Sequence, residues 1–302
     1  RRRWLWPAAA VVAFGGAAAL FGPNLAIEKA TLTTLAAGAA QPIADRDAAN
    51  TATVDLAGDD VPVLEGGLFD RYRSNPPLTV VQAEHPALDL SWFEGIAKEK
   101  KEVGFTTYSP NFYYDNSSIT AIYTADMASI ERLIPQEARD VVQPISFAPG
   151  KGLVAITSYA YHYCDNDSYN ELSISVVTTR PDQGNWGLIS LMGQLNDQSL
   201  WGYVLKLPVD TELARVRGVV GYNLPKWKIP IDYSADGETV AFTYYDEAGE
   251  VDFSMTGKKL DTAGAAPTVS RMNFVNLDAQ GRLTHGFSDV RAVERASSRA
   301  GG

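Results

Sequence analysis

From about residue 105 onward, short apolar runs alternate with turn residues along the chain. Segments such as SSITAIYTA, GLVAITSYAYHY and ELSISVVTTR are rich in β-branched and aromatic residues and are bounded by Gly, Pro, Asn or Asp. The same pattern returns in WGLISLMG, WGYVLKLPV, TVAFTYYD, VDFSMTGKKL and PTVSRMNFVNLD, with DEAGE as a predicted hairpin turn. This pattern predicts a mainly β (α+β) fold, with a large antiparallel or mixed sheet curled into a barrel or sandwich.

A few helices and one irregular stretch are predicted around these strands. DMASIERLIP has Asp126 as its N-cap and Pro135 beyond its end, and TELARVRGV is a second short helix capped by Asp210. Residues 85–103 are predicted to form an amphipathic helix, because their lysines gather at the C-terminal end that the helix dipole favours. Residues 41–80 are polar and turn-rich, which indicates a linker or an extended arm.

The N-terminal segment RRRWLWPAAAVVAFGGAAALFG has the pattern of a membrane anchor. Three arginines precede 19 residues without a charge, and a spanning helix needs about 20 apolar residues. Trp4 and Trp6 stand where interfacial aromatic residues are common, and the arginines mark the cytoplasmic side. We expect a single-pass signal anchor with a cytoplasmic N-terminus and a periplasmic or extracytoplasmic globular domain. A cleaved signal peptide and a buried core helix are the alternatives.

These patterns together predict four parts. They are a transmembrane anchor at 1–22, an interfacial helix and arm at 23–80, a β domain at 81–292 and a disordered tail at 293–302. The expected partners are the lipid bilayer, through residues 4–22, and other membrane proteins.

Composition and net charge limit which other partners and cofactors are expected. The formal net charge is -10, which argues against nucleic acid because phosphate binding needs clustered Lys and Arg. There is one cysteine, Cys164, and the three histidines are widely spaced, so no structural zinc site is predicted. We expect neither a metal nor a cofactor.

The stretch GYNLPKWKIPIDY carries the strongest candidate chemistry. It places Lys226 directly after a proline and among apolar and aromatic residues. Burial by Trp227, Leu224, Tyr222 and Ile229 would favour the neutral amine, which can form an imine with a carbonyl compound. The alternative is a half-exposed lysine whose stem covers an aromatic surface and whose charge pairs with Glu171.

Around Lys226 the chain resembles the acetoacetate decarboxylase family. Members carry the Schiff-base lysine as the first of the final pair in a segment like G-R-E-x-aromatic-G-aromatic-P-K-K, and GVVGYNLPKW keeps four of these features. They are Gly218, Tyr222, Pro225 and Lys226. The Arg-Glu pair and the second lysine are replaced, by Val219, Val220 and Trp227. The resemblance covers roughly residues 105–275, in which SYNELSISVV and FYYDNSSITAIYTADMASIERLIPQ resemble two further segments of the family.

The resemblance implies roles for individual residues. Lys226 would be the Schiff-base lysine and Glu171 a catalytic carboxylate that points into the pocket, with Tyr169 beside it. Asn116 falls near the position of the family's active-site arginine, which would leave a substrate carboxylate without a charged clamp. Arg180 and Arg215 are other candidates for that clamp. The predicted substrate-binding residues are Asn116, Tyr169, Tyr222 and Trp227.

Three functions follow from these observations. The first is a membrane-anchored carbon-carbon lyase that decarboxylates or otherwise transforms a small oxo acid through a lysine Schiff base. The second is an inactive member of the same fold that binds a hydrophobic or carbonyl-bearing ligand. The third is an accessory structural subunit of a membrane protein complex.

Overall fold

The computed structural model describes residues 31–33, 45–236, 239–258, 268–278 and 280–292. Within them the strands are β1 (Thr31–Thr33), β2 (Ala52–Leu56), β3 (Asp59–Val63), β4 (Glu99–Glu102), β5 (Thr106–Ser109), β6 (Tyr113–Asp126), β7 (Lys151–Cys164), β8 (Tyr169–Val177), β9 (Ser199–Lys206), β10 (Ile231–Ala235), β11 (Thr239–Tyr245), β12 (Val251–Lys258), β13 (Thr268–Leu277) and β14 (Leu283–Ala292). The α-helices are α1 (Leu68–Tyr72), α2 (Leu78–Glu84), α3 (Met127–Leu133), α4 (Gln136–Arg139), α5 (Leu188–Asn196) and α6 (Glu212–Tyr222), and a 3-10 helix spans Arg46–Ala49. The predicted mainly β fold with a few short helices is confirmed.

Two sheets carry most of the described chain. A six-stranded sheet has the order β14-β13-β9-β8-β7-β6, and its neighbours are antiparallel except for the parallel pair β13 and β9. An antiparallel four-stranded sheet has the order β1-β12-β11-β10. Their facing sides form one apolar cluster, because alternate residues of each strand point the same way. The cluster includes Ile119, Ile156, Leu172, Ile174, Phe242, Tyr244 and Met255.

The opposite face of the six-stranded sheet is divided along its strands. At one end α5 covers it, through an apolar cluster that includes Ile145, Leu153, Val177 and Leu191. At the other end the same face carries hydroxyl, phenol and carboxylate side chains. The end that α5 leaves uncovered is therefore the polar one, and Glu171 lies there.

Residues 45–80 are not the predicted linker. β2 and β3 form a hairpin through Ala57 and Gly58, both with positive φ, as a two-residue turn requires. The hairpin and α1 place Val54, Leu56, Val61, Val63 and Phe69 in a core cluster with Leu213 and Val216 of α6. The residues between these apolar positions point away from the core, so both strands show the in-and-out alternation of a half-buried hairpin.

Three local predictions near this region and in α5 are also wrong. Residues 85–103 form turns and β4 in place of a helix; α2 ends before Pro86, which cannot continue a helical hydrogen-bond ladder. WGLISLMG, predicted as a strand, opens α5, because Leu188, Leu191 and Leu195 recur at helical spacing on the face packed against the sheet. The N-cap of α6 is Thr211, whose side chain accepts from the Ala214 amide, and Asp210 is used elsewhere.

Other local predictions are confirmed. The Asp126 carboxylate accepts from the Ser129 amide at 2.9 Å and caps α3. DEAGE closes the hairpin between β11 and β12, with the Gly249 amide donating to the Asp246 carbonyl at 3.0 Å.

The N-terminal predictions fall largely outside the described residues. Residues 1–22 and the tail from 293 lie outside them, as does most of 23–40. Thr31–Thr33 forms a strand paired with β12 in place of part of the predicted interfacial helix. In the described part of the chain, no helix is both long and apolar enough to cross a bilayer.

The packing of residues 45–80 can be tested with two substitutions. Phe69 is fully buried, whereas Leu64 is 45% exposed at the end of the same hairpin. We expect Phe69→Ala to lower the free energy of unfolding by about 3–5 kcal/mol. Leu64→Ala should change it by less than about 0.5 kcal/mol. Urea denaturation measures both, and equal, near-zero effects would restore the linker interpretation.

Candidate active site

Lys226 is placed by the turn that follows α6. The helix ends at Tyr222 and is capped by Asn223, which adopts a left-handed conformation. The Leu224 amide donates to the Gly218 carbonyl at 3.0 Å. The chain then runs beside Val209, whose amide donates to the Trp227 carbonyl at 3.0 Å. Val209 also bridges Glu171 of β8, so one residue aligns the lysine segment with the strand that carries the carboxylate.

Lys226 and Glu171 form a buried ion pair. The lysine Nζ lies 2.5 Å from Glu171 Oε2, and the two side chains are 6% and 8% exposed. Gly218 of α6 gives the lysine stem its space: a Cβ at this position would lie 2.7 Å from the Lys226 Cε. Buried charges are stable only when they are paired and hydrogen-bonded, so each partner fixes the position of the other.

Four tyrosines surround the pair. The Tyr161 hydroxyl donates to Glu171 Oε1 at 3.3 Å, and the Lys226 Nζ lies 5.5 Å from the centre of the Tyr169 ring. The Tyr113 and Tyr169 hydroxyls are 3.1 Å apart, and Tyr159 stacks on Tyr161. Burial raises the pKa of Tyr159 to about 12 and raises the pKa values of the other three phenols. All four therefore stay neutral near pH 7 and act as hydrogen-bonding groups.

The predicted site residues divide into two groups. Lys226, Glu171 and Tyr169 are brought together. Asn116 lies exposed on β6, directly opposite Tyr161 in the sheet. Tyr222 is 38% and Trp227 40% exposed. Trp227 approaches Lys206, with the Nζ 5.3 Å from its ring centre, so Gly218 and the tyrosines bury Lys226 in place of Trp227.

The two alternative arginine clamps are engaged elsewhere. Arg180 forms an ion pair with Asp197, and Arg215 with Glu212 of its own helix. Arg217 is almost fully buried beside Gly218, but its guanidinium donates to Asn111 and Thr107. Among the described residues, the hydrogen bonds and ion pairs of Lys226 and Glu171 include no arginine.

Tyr113 and Tyr161 were missed as site residues from the sequence. A signal for Tyr161 was present in YAYHY: alternate residues of a strand share a face, so Tyr159 and Tyr161 lie together. What the sequence lacks is the register that places Tyr159 opposite Glu171 and Tyr161 opposite Tyr169.

A network of charged side chains supports the two segments that carry Glu171 and Lys226. Asp210, which is 3% exposed, accepts from the amide and the side-chain nitrogen of Asn170, the neighbour of Glu171, each at 2.7 Å. Arg46 of the 3-10 helix reaches Asp210 at 3.3 Å. Lys228 forms ion pairs with Asp45 and Asp47 at 2.8 and 2.6 Å. Residues 45–47 are thereby linked through Asp210 to β8, which carries Glu171, and through Lys228 to the segment that carries Lys226.

A second buried lysine provides a comparison. Lys98 Nζ lies 2.5 Å from Asp165 Oδ2, with side chains 6% and 0% exposed. The same nitrogen donates to the Ser74 carbonyl at 2.7 Å and lies 4.2 Å from the centre of the Phe112 ring. Burial lowers the pKa of Lys98, although Asp165 opposes the shift.

In the described part of the chain, no group of three or more His, Cys, Asp or Glu side chains is arranged to hold a metal ion. Cys164 is buried, donates to the Asp167 carbonyl at 2.9 Å, and has a pKa raised by burial. It is therefore unsuited to act as a thiolate nucleophile.

The solved structures that are similar to this chain include two acetoacetate decarboxylases. The first aligns at a TM-score of 0.40 with 16% identity, over 61% of this chain and 68% of the other. The second, from Legionella pneumophila subsp. pneumophila, aligns at 0.41 with 9% identity, over 61% of this chain and 66% of the other. No family model matches the chain, and no curated protein matches it.

Two glycines of α6 test the packing of the lysine stem. Gly221→Ala meets only ordinary contacts, at 3.8 Å, and we expect it to stabilise the protein by up to about 1 kcal/mol through helix propensity. Gly218→Ala gains the same propensity but displaces Lys226. We expect it to lower the free energy of unfolding in urea relative to Gly221→Ala. Equal effects would show that the stem moves aside without loss.

Asp210 gives a prediction for pH. Burial raises its pKa to about 6, against the opposing effects of Arg46 and Asn170. A carboxyl with a raised folded-state pKa stabilises the fold below its unfolded pKa and loses that contribution as pH rises through 6. Between pH 4 and 7 we expect the unfolding free energy of the wild type to fall relative to Asp210→Asn, by at most about 3 kcal/mol.

Urea denaturation of the two proteins at each pH makes this measurement, and contributions from other acids cancel in the difference. A wild type that gains stability relative to Asp210→Asn as pH rises would show that Arg46 and Asn170 hold Asp210 ionised.

Proposed function

We propose that the chain forms an imine between Lys226 and a small oxo compound, with Glu171 as the group that accepts and returns protons. The observation that carries this proposal is the buried Lys226–Glu171 pair at 2.5 Å inside a cluster of neutral phenols. A lysine nucleophile needs burial and an adjacent base, and both are provided here. The sequence resemblance around Lys226 supports the same chemistry.

The proton balance of the proposed reaction closes within the pair. Transfer from the Lys226 ammonium to the Glu171 carboxylate gives a neutral amine and a carboxylic acid. The amine nitrogen attacks the carbonyl carbon, and the proton that it loses moves to the oxygen, which gives a carbinolamine. Glu171 then protonates the departing hydroxyl, so that water leaves, the protonated imine forms and the carboxylate is restored.

Decarboxylation is the finer proposal. With a β-oxo acid, the bond to the carboxylate carbon breaks, its electron pair moves into the imine, and carbon dioxide leaves. Protonation at carbon and hydrolysis then return the free lysine. A substrate carboxylate needs a cationic or hydrogen-bonding partner. Asn116 has no charge, and Arg180, Arg215 and Arg217 are engaged elsewhere. Imine formation therefore has stronger support than decarboxylation.

A binding function without covalent chemistry is the second candidate. The observation in its favour is that the Lys226 ammonium already has a partner at 2.5 Å and an aromatic ring beside it. Such an arrangement also suits a fixed structural pair in the wall of a ligand pocket.

Location at a membrane remains part of the proposal. It rests on the charge and apolar pattern of residues 1–22, with the N-terminus cytoplasmic and the globular domain outside. The role of accessory subunit in a membrane complex rests on the same segment.

Trapping with a hydride donor tests the proposed function. Acetoacetate and neutral ketones are incubated with the protein at pH 7, and cyanoborohydride reduces any imine to a secondary amine that peptide mass spectrometry locates. We expect modification at Lys226 in the wild type. The Lys226→Arg variant should show none at position 226, because a guanidinium does not act as this nucleophile.

Lys98→Arg is the matched control, since Lys98 has the same burial and an ion pair of the same length. It should leave trapping at Lys226 unchanged. Modification at Lys98 in place of Lys226, or at neither, would favour the non-covalent function. Carbon dioxide release from acetoacetate, measured in parallel, separates decarboxylation from imine formation alone.

A further inference from the structure

The face of the sheet that carries Glu171 continues into a row of neutral hydroxyl groups. Thr120 of β6 lies directly opposite Thr157 of β7, and Thr157 lies directly opposite Ser173 of β8. Directly opposed residues of antiparallel strands share a face. We call Thr120, Thr157 and Ser173 the hydroxyl row. Ser173 is two residues from Glu171, so the row lies on the same face as the ion pair.

The distance between the hydroxyl row and the site suits a small ligand. Two residues of a strand span about 7 Å, which is the separation between the Ser173 and Glu171 positions along β8. In a four-carbon ketone whose reacting carbon lies at Lys226, the terminal hydroxyl oxygen lies about 4–5 Å from that carbon, and a hydrogen bond of about 2.8 Å extends its reach to about 7 Å. Its far end would then lie beside the row.

The groups of the row are held in place by hydrogen bonds. The Thr120 and Thr157 hydroxyls are 3.1 Å apart, and those of Ser173 and Ser175 are 3.0 Å apart. Each of these hydroxyls can both donate and accept, so a ligand hydroxyl can be bound in either sense.

The burial of Thr157 and the charge of this face of the sheet indicate which type of ligand the hydroxyl row can bind. Thr157 is only 7% exposed, although valine has the same shape and would place no polar group there. The next positions of the same strands, Ile156 and Ile174, belong to the apolar core on the other face. The neighbouring rows on this face are Ser118, Tyr159 and Glu171 on one side, and Ile122, Ala155 and Ser175 on the other. Apart from the neutral phenol of Tyr159, Glu171 is the one ionisable group in these three rows, and Lys226 balances its charge. The face therefore offers hydrogen bonds without net charge.

We propose that the oxo compound bound at Lys226 is a small, neutral, hydroxylated ketone of the ketose class, whose hydroxyl groups bind to the hydroxyl row. This inference rests on the proposed imine chemistry and names its substrate class. An anionic oxo acid would place its carboxylate among hydroxyls that carry no charge. An apolar ketone would leave the buried Thr157 hydroxyl without a new partner.

Three ketones of four carbons test the proposal: erythrulose, 2-butanone and acetoacetate. Each is titrated against the full chain at pH 7 with cyanoborohydride, and the concentration that gives half-maximal modification of the Lys226 peptide is measured. We expect erythrulose to need the lowest concentration, about 10-fold below 2-butanone if one or two neutral hydrogen bonds are gained.

Variants then assign the selectivity to the row. Thr157→Val keeps the shape and should raise the half-maximal concentration for erythrulose about 3–10-fold while leaving 2-butanone unchanged. Ser173→Ala, at a half-exposed position, provides the same test if Thr157→Val fails to fold. Thr106→Val, an exposed threonine of β5 that bonds Glu102, is the control and should change neither value.

The outcomes separate the two levels of the proposal. Lower half-maximal concentrations for acetoacetate or 2-butanone than for erythrulose, or equal effects of Thr157→Val on all three ketones, would overturn the substrate class while leaving imine formation intact. Absence of any modification at Lys226 would overturn the imine chemistry and the substrate class together.

Discussion

The buried ion pair between Lys226 and Glu171 is the interaction on which the rest of this site depends. Removing each charge from water costs several kcal/mol, and only close, well-oriented partners recover that cost. Three segments must therefore be fixed together: β8 with Glu171, the turn after α6 with Lys226, and the chain at Val209 between them. Gly218 contributes by leaving room for the lysine stem.

The surrounding contacts explain how a turn outside regular secondary structure holds a charged side chain in place. Asp210 binds the residue before Glu171, and Lys228 binds the 3-10 helix at Asp45 and Asp47. The hairpin of β2 and β3, together with α1, packs under α6 in the same region. Residues 45–80, which the sequence suggests are a linker, therefore support the helix that precedes Lys226.

The comparison of Lys98 with Lys226 shows what distinguishes a candidate nucleophile from a structural lysine. Both side chains are equally buried and ion-paired at the same distance, and burial lowers the pKa of Lys98. The Lys98 ammonium also donates to the Ser74 carbonyl, so more of its hydrogen-bonding capacity is used by the fold. Lys226 is surrounded by phenols and leads to the hydroxyl row, which a ligand can contact. The type of surrounding groups, rather than burial or pKa alone, favours Lys226.

The sequence by itself determined most of the β-strands from residue 113 onward, but not β10 or β14. It also determined α3 with its cap Asp126, the presence of α6 without its correct cap, and Lys226 and Glu171 as the candidate pair. These follow from local periodicity, capping residues and a short motif, which depend on neighbours along the chain. Only the tertiary structure decided that residues 45–80 pack into a core, and that Tyr113, Tyr161 and Thr157 lie near the site while Trp227 stays half-exposed. Those outcomes depend on strand register and on packing between segments far apart in sequence. A shift of one residue in register would turn the same side chains to the opposite face, and no local pattern encodes that choice.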